Sequence, residues 1–89
     1  MPRVEKKVVI KNKQGLHARP AAMFVQIVSK YDSIITIQKD EDVVNGKSIM
    51  GILTLGAQQY TAIKIIAEGE DAQEALNELE MLVSDESIE

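Results

Sequence analysis

The sequence predicts a two-layer α+β sandwich, in which helices cover one face of a sheet. Four short segments have half-apolar faces typical of strands, and three further segments have the period of amphipathic helices. Their order along the chain is β-α-β-β-α-β-α, and three such helices can cover one side of a four-stranded sheet. The 89 residues have the length of a single domain, residues 1–89, and a composition of 45% hydrophobic and 27% charged residues is typical of globular proteins.

The first strand and the first helix flank a polar loop. Residues 4–10 are predicted as a strand with apolar side chains on one face. A helix starts near His17 or Ala18, and Pro20 suits its first turn, where a missing N–H costs nothing. The helical pattern is broken at residues 32–33. The apolar stripe of this helix consists of Ala21, Phe24, Val25 and Val28.

Two strands and a short helix follow. Residues 34–38 alternate as a strand, and residues 43–44 form a short return strand after a charged turn. Ser48 is a good N-cap for a short helix through Leu55. Gly56 is a suitable stop, because glycine favours the end of a helix.

The last strand and the last helix have clear boundaries. Residues 61–67 are predicted as a strand that ends at Gly69. Asp71 and Glu74 form a variant of the capping box, with Asp in place of Ser or Thr. The acidic tail over residues 84–89 is expected to be frayed and solvated. The stripe of the last helix has the clearest period of the chain and consists of Ala72, Ala75, Leu76, Leu79, Leu82 and Val83.

The composition excludes several kinds of site. The chain has no cysteine and one histidine, which excludes disulfides, a cysteine nucleophile and metal sites with several histidines. We therefore expect no metal and no cofactor. Aromatic residues are 3% of the chain, and the isoelectric point near 5.0 gives nucleic-acid binding little support. Because no apolar run approaches the roughly 20 residues of a membrane helix, we expect a cytoplasmic protein without membrane insertion.

Charge is distributed unevenly along the chain. Residues 1–67 contain ten basic and five acidic residues, a net charge of +5, whereas residues 68–89 contain nine acidic residues and no basic one. This asymmetry suggests one face that binds anions and another that is only solvated. The polar outer face of the last helix is also sufficient to explain most of these acids.

Residues 15–21, GLHARPA, contain the candidate chemistry. His17 lies where a loop becomes a helix, and the unpaired first amides of a helix attract anions. Arg19 adds a fork of donors suited to phosphate oxygens, and Gly15 lets the backbone turn closely. Because imidazole is a nucleophile near neutral pH, His17 can accept a phosphoryl group and pass it on through a labile P–N bond. No nucleotide-binding loop accompanies it, so a phosphate carrier fits better than a kinase.

A second segment of interest is residues 47–55, KSIMGILTL. The helix after Ser48 is apolar nearly all round, although a short helix in a two-layer domain buries only one face. The rest of its surface is then an exposed apolar patch for a partner; alternatively, Ile52 and Leu55 are core and the other residues lie at its edge. Ser48 is most simply an N-cap, and a phosphate there would add charge beside the patch at little cost in fold stability.

Together, these segments resemble the HPr family, the histidine-containing phosphocarrier proteins of the bacterial phosphoenolpyruvate-dependent phosphotransferase system. Residues 15–21 are similar to the active-site signature of the family, and residues 47–51 are similar to its regulatory-serine segment. The resemblance covers essentially the whole chain. It implies an open-faced β-sandwich with a four-stranded antiparallel sheet and three helices on one face. It also implies a phosphoryl carrier, not an enzyme that turns over a small molecule by itself.

The resemblance implies a role for each of these residues. His17 would take phosphate on Nδ1 from phosphorylated enzyme I and give it to sugar-specific enzyme IIA domains, while Arg19 and Ala18 bind the phosphoryl group. Ser48 would be the target of an HPr kinase/phosphorylase, and its modification would hinder the relay and favour a catabolite-control regulator. A monomer is expected. The positions that match the docking patch of the family are Ile49, Met50 and Leu53.

Alternatives to this interpretation remain. Residues 12–15, NKQG, also resemble a nitrogen-related paralogue, so a regulatory module whose phosphorylation state is read by partners is one alternative. The intact KSIMG run favours the sugar-transport type, and His17 excludes the catabolite-repression paralogue that lacks the histidine. Gln14 replaces a small Asn or Ser of many members, which leaves its capping contact in question. From the residues alone, a ligand-binding or structural domain with an incidental histidine is a third interpretation.

Overall fold

A computed structural model describes residues 1–88 of the chain. These residues form four strands and three helices in the predicted order. No helix within residues 1–88 combines the length and the apolar character needed to cross a membrane. The elements are β1 (Arg3–Val9), α1 (Ala18–Val28), β2 (Ile34–Lys39), β3 (Asp42–Asn45), α2 (Ile49–Thr54), β4 (Ala62–Glu68) and α3 (Ala72–Val83).

The four strands form one antiparallel sheet with the order β1-β4-β2-β3. β4 is central: it pairs with β1, where Val8 is opposite Ile63, and with β2, where Ile37 is opposite Ile65. A tight turn joins β2 to β3, and Asp40 in this turn has a φ of 54°, a left-handed conformation that Asp tolerates. The predicted fold class, an open-faced sandwich with three helices, is therefore confirmed.

The core lies between the sheet and the helices. Alternation along the strands sends every second side chain toward the helical layer. The helices contribute Phe24, Ile52 and Leu79, each of which is 0% exposed. The predicted stripe of α3 is buried at all of its positions, while the opposite face of the sheet leaves Ile34 and Val43 exposed. The buried strand residues are Val8, Ile35, Ile37, Ile63, Ile65 and Ala67.

The capping box predicted at the start of α3 is wrong. Asp71 precedes the helix, but it has a φ of −100° and a ψ of 20°, and its side chain makes no capping hydrogen bond. Its carboxylate accepts hydrogen bonds from the backbone N–H of Asp32 (2.9 Å), the backbone N–H of Ser33 (3.0 Å) and the Ser33 hydroxyl. These bonds, the Ser33 hydroxyl above all, hold the pKa of Asp71 below its ordinary value. A carboxylate bonded to the loop between α1 and β2 is not free to cap its own helix.

A second group of side chains connects the same loop to α3. The Tyr31 hydroxyl donates to the Glu78 carboxylate at 2.5 Å, and the Lys30 ammonium donates to the same carboxylate. The hydrogen bond to Glu78 raises the pKa of Tyr31 to about 12, while the bonds from Lys30 and then Tyr31 lower the pKa of Glu78. These residues therefore hold α3 against the end of α1.

Two segments end differently from the prediction. α1 ends at Val28, before the break predicted at residues 32–33, and a turn precedes β2. The tail is solvated as predicted at residues 85–87, which are exposed, but the predicted fraying is wrong for residues 84–88. The Lys13 N–H donates to the Ile88 carbonyl at 3.3 Å, and the Ile88 side chain packs against the core. The last residue of the predicted tail, residue 89, lies outside the described residues.

Candidate functional site

The loop before α1 is held in a close turn that requires glycine. The Gly15 N–H donates to the Asn12 carbonyl at 3.0 Å, and the Leu16 N–H donates to the Ala57 carbonyl at 2.9 Å. Gly15 has a φ of 71°, and a Cβ added there would lie 2.3 Å from the Ala57 oxygen. Both the left-handed backbone and the lack of space therefore exclude a larger residue. Leu16, the residue before His17, is anchored by its buried side chain.

His17 is the N-cap of α1 and has an exposed side chain. Its backbone is extended, with a φ of −80° and a ψ of −171°, and its imidazole makes no capping hydrogen bond to the described backbone. The first helical bond runs from the Ala21 N–H to the His17 carbonyl at 2.9 Å. Because Pro20 has no N–H, the amides of Ala18 and Arg19 are the unpaired donors of this helix start. They lie directly beside the histidine.

This helix start is suited to an anion. The first amides of a helix carry partial positive charge, and α1 with 11 residues is long enough to have a substantial dipole. His17, Ala18 and Arg19 are all exposed, so a group carried by another protein can reach them. Arg19 forms no ion pair with a carboxylate in the part of the chain that the structure describes. Its guanidinium is available for a phosphate.

An open hollow of about 200 Å³ lies between the histidine and α2. Its walls come from the loop before α1 and from the end of α2, so His17 and Leu53 border the same hollow although they are distant in sequence. Gly56, with a φ of 61°, ends α2 as predicted and forms part of the wall. The lining residues are Gln14, Leu16, His17, Leu53, Gly56, Ala57 and Gln58.

The exposed side of α2 continues this surface. Met50 is 70% exposed and Ile49 is 41% exposed, whereas Leu53 is half-buried. Ile52 and Leu55 are buried in the core. The two interpretations of this helix from the sequence are therefore both partly right: one side is core, and the other is an apolar patch. We call the residues Ile49, Met50 and Leu53 the α2 patch.

Ser48 caps α2, as its residue type predicts. Its backbone is extended, and its Oγ accepts a hydrogen bond from the Gly51 N–H at 2.9 Å. The preceding turn is fixed by the Asn45 side chain, whose Oδ1 accepts from the Lys47 N–H at 2.8 Å. The Ser48 side chain is half-buried. Its Oγ therefore already accepts a capping hydrogen bond in the unmodified protein.

One polar residue near the site was missed by the sequence interpretation. Asn12 lies in what reads as a polar loop, yet it is 0% exposed. Its Nδ2 donates to the carbonyls of Leu82 and Asp85, both at 2.9 Å. Nothing in the sequence distinguishes it from its exposed neighbours Lys11 and Lys13. Within residues 1–88, no group of three or more His, Asp or Glu side chains is placed to hold a metal ion.

Comparison with known proteins gives consistent matches over nearly the whole chain. A family model described as the PTS HPr component phosphorylation site matches residues 4–85. The HPr-like protein Crh of Bacillus subtilis is 46% identical over 83 residues, which are 93% of this chain and 98% of that protein. The phosphocarrier protein HPr of Treponema pallidum is 42% identical over 79 residues, 89% of this chain and 90% of that protein. The crystal structure of a phosphocarrier protein HPr from Bacillus anthracis superposes with a TM-score of 0.89 at 46% identity, covering 93% of this chain and 99% of that one.

Proposed function

This chain belongs to the HPr family of phosphocarrier proteins, and we propose that it carries phosphate in the bacterial phosphoenolpyruvate-dependent phosphotransferase system. In this proposal, His17 accepts a phosphoryl group from phosphorylated enzyme I and passes it to sugar-specific enzyme IIA domains. The observation that carries the proposal is the exposed imidazole at the start of α1, beside the unpaired amides of Ala18 and Arg19. The protein acts as a single-domain monomer in the cytoplasm.

The chemistry is a reversible transfer between two proteins. The lone pair of the His17 Nδ1 attacks phosphorus, a P–N bond forms, and the bond between phosphorus and the donor atom of enzyme I breaks. The electron pair of the broken bond stays with the donor atom of enzyme I. Because the phosphoryl group passes directly from one protein to the other, no water and no free phosphate take part. The amides of Ala18 and Arg19 donate to the phosphoryl oxygens as charge develops on them. Transfer to enzyme IIA is the same step with this chain as the donor.

Arg19 binds the phosphoryl group with its side chain as well as its amide. A guanidinium presents parallel donors that match two phosphate oxygens, and it keeps its charge at every physiological pH. Since Arg19 is exposed and belongs to the first turn of α1, it can follow the group from one partner to the next. Its contribution is binding, because the guanidinium is a hydrogen-bond donor and not the atom that accepts the phosphoryl group.

The α2 patch is proposed to dock enzyme I and the enzyme IIA domains. It borders the hollow beside His17, so an apolar partner surface seated on it also covers the histidine. Ser48 at the edge of this patch is proposed as the regulatory site of an HPr kinase/phosphorylase. A phosphate there would place charge beside the patch, hinder the relay and favour a catabolite-control regulator.

The similarity to Crh supports a second candidate function. That relative is named an HPr-like protein and is 46% identical to this chain. In this alternative, the phosphorylation state is read by regulatory partners, as in nitrogen-related or purely regulatory paralogues, and is not passed to sugars. The two functions differ in one step, the transfer from His17 to an enzyme IIA domain.

The test starts with purified protein, phosphoenolpyruvate and enzyme I, followed by intact-mass spectra before and after mild acid. We expect the gain of one acid-labile phosphate on wild type and none on His17→Ala. No gain on a folded wild-type protein with active enzyme I would refute the carrier function. Adding enzyme IIA domains then separates the candidates: loss of the phosphate to a sugar-specific domain supports the relay, whereas a phosphate that stays on His17 supports the regulatory function.

A further inference from the structure

The side chain of Asn12 connects the loop before His17 to the end of α3. Asn12 is fully buried, and its Nδ2 donates to the carbonyls of Leu82 and Asp85, both at 2.9 Å. Its Oδ1 has no hydrogen-bond partner among residues 1–88. The side chain therefore acts as a donor of two hydrogen bonds. Each of the two carbonyls also accepts a longer backbone hydrogen bond, Leu82 from the Asp85 N–H at 3.3 Å and Asp85 from the Ile88 N–H at 3.4 Å. Asn12 therefore adds a second, shorter bond to each carbonyl.

The backbone on both sides of Asn12 strengthens this connection. The Lys11 N–H donates to the Val83 carbonyl at 2.8 Å, and the Lys13 N–H donates to the Ile88 carbonyl at 3.3 Å. The loop is thus bound to the segment that ends α3 and follows it. The Asn12 side chain is the one member of this set that a substitution can remove without touching the main chain.

A chain of backbone hydrogen bonds continues from Asn12 to the histidine. The Gly15 N–H donates to the Asn12 carbonyl at 3.0 Å, and the His17 N–H donates to the Gly15 carbonyl at 2.8 Å. The Ala21 N–H then donates to the His17 carbonyl at 2.9 Å. A shift of Asn12 is consequently transmitted through two turns to the residue whose ring accepts phosphate.

We propose that Asn12 is a positioning residue for phosphoryl transfer, because it binds the loop to the end of α3 and so fixes the backbone of His17 at the start of α1. This inference rests on the proposed function. Asn12 is buried and does not reach the phosphoryl group, so it acts on the reaction through His17. It belongs to neither the α2 patch nor the lining of the hollow, so its effect is on transfer and not on docking.

The test measures kcat and KM of enzyme I with this protein as phosphoryl acceptor. We expect Asn12→Ala to lower kcat about tenfold and to leave KM within twofold, because the α2 patch is unchanged. Tenfold corresponds to about 1.4 kcal/mol, the size of a net hydrogen bond. Asn12→Asp lowers kcat at least as much, since a carboxylate offers no donor to the two carbonyls. Asn77→Ala is the matched control, because Asn77 is an exposed asparagine of α3 that bonds to Gln73 in its own helix.

Hydrogen exchange of the Gly15 amide supplies a readout that does not depend on phosphate. It is expected to be faster in Asn12→Ala than in the control. An unchanged kcat, a raised KM with normal kcat, or unchanged exchange would each overturn the positioning role. If Asn12→Ala does not fold, Asn12→Ser, which keeps one donor, is judged by the same criteria. If the wild type takes no phosphate but Asn12→Ala speeds exchange of the Gly15 amide, the proposed function fails, whereas the role of Asn12 in fixing the loop is supported. If the wild type takes no phosphate and the exchange rate is unchanged, both proposals fail.

Discussion

Three substitutions of Ser48 separate the effect of its cap on protein stability from the effect of a charge at this position on binding. Its Oγ accepts from the Gly51 N–H at 2.9 Å and thereby caps α2. Ser48→Ala removes the cap, Ser48→Asn keeps a capping oxygen without charge, and Ser48→Asp keeps it with charge. Comparing the three therefore distinguishes loss of the cap from the electrostatic effect that a phosphate would have.

The stability effect follows from the length of α2. A helix of six residues depends on packing and on its ends, since so few turns cannot hold themselves. Its inner side is fixed by the buried Ile52, so loss of the cap weakens one end while the other contacts stay. We expect Ser48→Ala to lower the free energy of unfolding by about 1 kcal/mol, which shifts Tm by about 4–8 °C in a domain of this size. Ser48→Asn and Ser48→Asp stay within about 0.5 kcal/mol of wild type.

The binding effect follows from distance and charge. Leu53 lies five residues after Ser48, which is about 7.5 Å along a helix axis. Residues 1–67 carry a net charge of +5, so a complementary partner surface is negative. The carboxylate of Ser48→Asp would repel a negative charge of the partner. At a separation of about 7.5 Å, this repulsion costs about 0.5–2 kcal/mol, depending on the local dielectric. Ser48→Asp is therefore expected to weaken binding of enzyme I about two- to thirtyfold.

Two assays decide the outcome. Thermal unfolding followed by circular dichroism gives the stabilities, and titration calorimetry with enzyme I gives the affinities at low and at high salt. Because the Debye length falls from about 8 Å at 0.15 M to about 3 Å at 1 M, high salt should remove most of the Ser48→Asp effect. A Ser48→Ala protein as stable as wild type would refute the cap. Equal affinities of Ser48→Asp and Ser48→Asn would refute the argument from charge.

Three further predictions concern other residues. Gly15→Ala forces a Cβ to within 2.3 Å of the Ala57 oxygen at a left-handed φ, so both Tm and phosphorylation should fall, the stability by more than about 1 kcal/mol; a wild-type Tm would contradict this. Arg19→Ala should slow phosphoryl transfer about tenfold or more with Tm nearly unchanged, and Arg19→Lys should recover only part of the rate, as measured by quenched-flow transfer from enzyme I. Asp71 has a lowered pKa, so its stabilising effect is present above the unfolded pKa of about 3.9 and is lost as pH falls through the lower folded value. Asp71→Asn should thus be less stable than wild type at neutral pH and converge with it in acid, and a constant gap in urea unfolding would show that the bonds from Ser33 do not act through the charge.

The order of elements was predictable because most of them have a local period. The stripe of α3 and the alternation in β2 and β4 are properties of neighbouring residues, and the structure buries the same side chains. Asp71 was misassigned because an aspartate before a helix can cap it or accept donors from elsewhere. Only the position of Ser33 beside it decides between the two, and that position depends on how α1 and β2 are connected.

The parts of the site also differ in how far the sequence alone predicts them. His17 and Arg19 are adjacent in sequence, so the pattern brought them together at a helix start without knowledge of the fold. The nearness of Leu53 depends on the loop bond between Leu16 and Ala57, which no local pattern encodes. Asn12 was missed for a related reason: its partners lie 70 or more residues away in the chain.

The two proposed phosphorylation sites stand at two helix starts, but their side chains are engaged differently. The imidazole of His17 has no capping role, and the amides of Ala18 and Arg19 beside it are unpaired. In the proposed function, a phosphoryl group on His17 would therefore gain donors that the unmodified protein leaves unused, and its departure would break no structural bond. The Ser48 oxygen already accepts from Gly51, so a kinase must work on an atom that holds α2 in place. Rapid, reversible transfer fits the first arrangement, and slow modification by a dedicated enzyme fits the second.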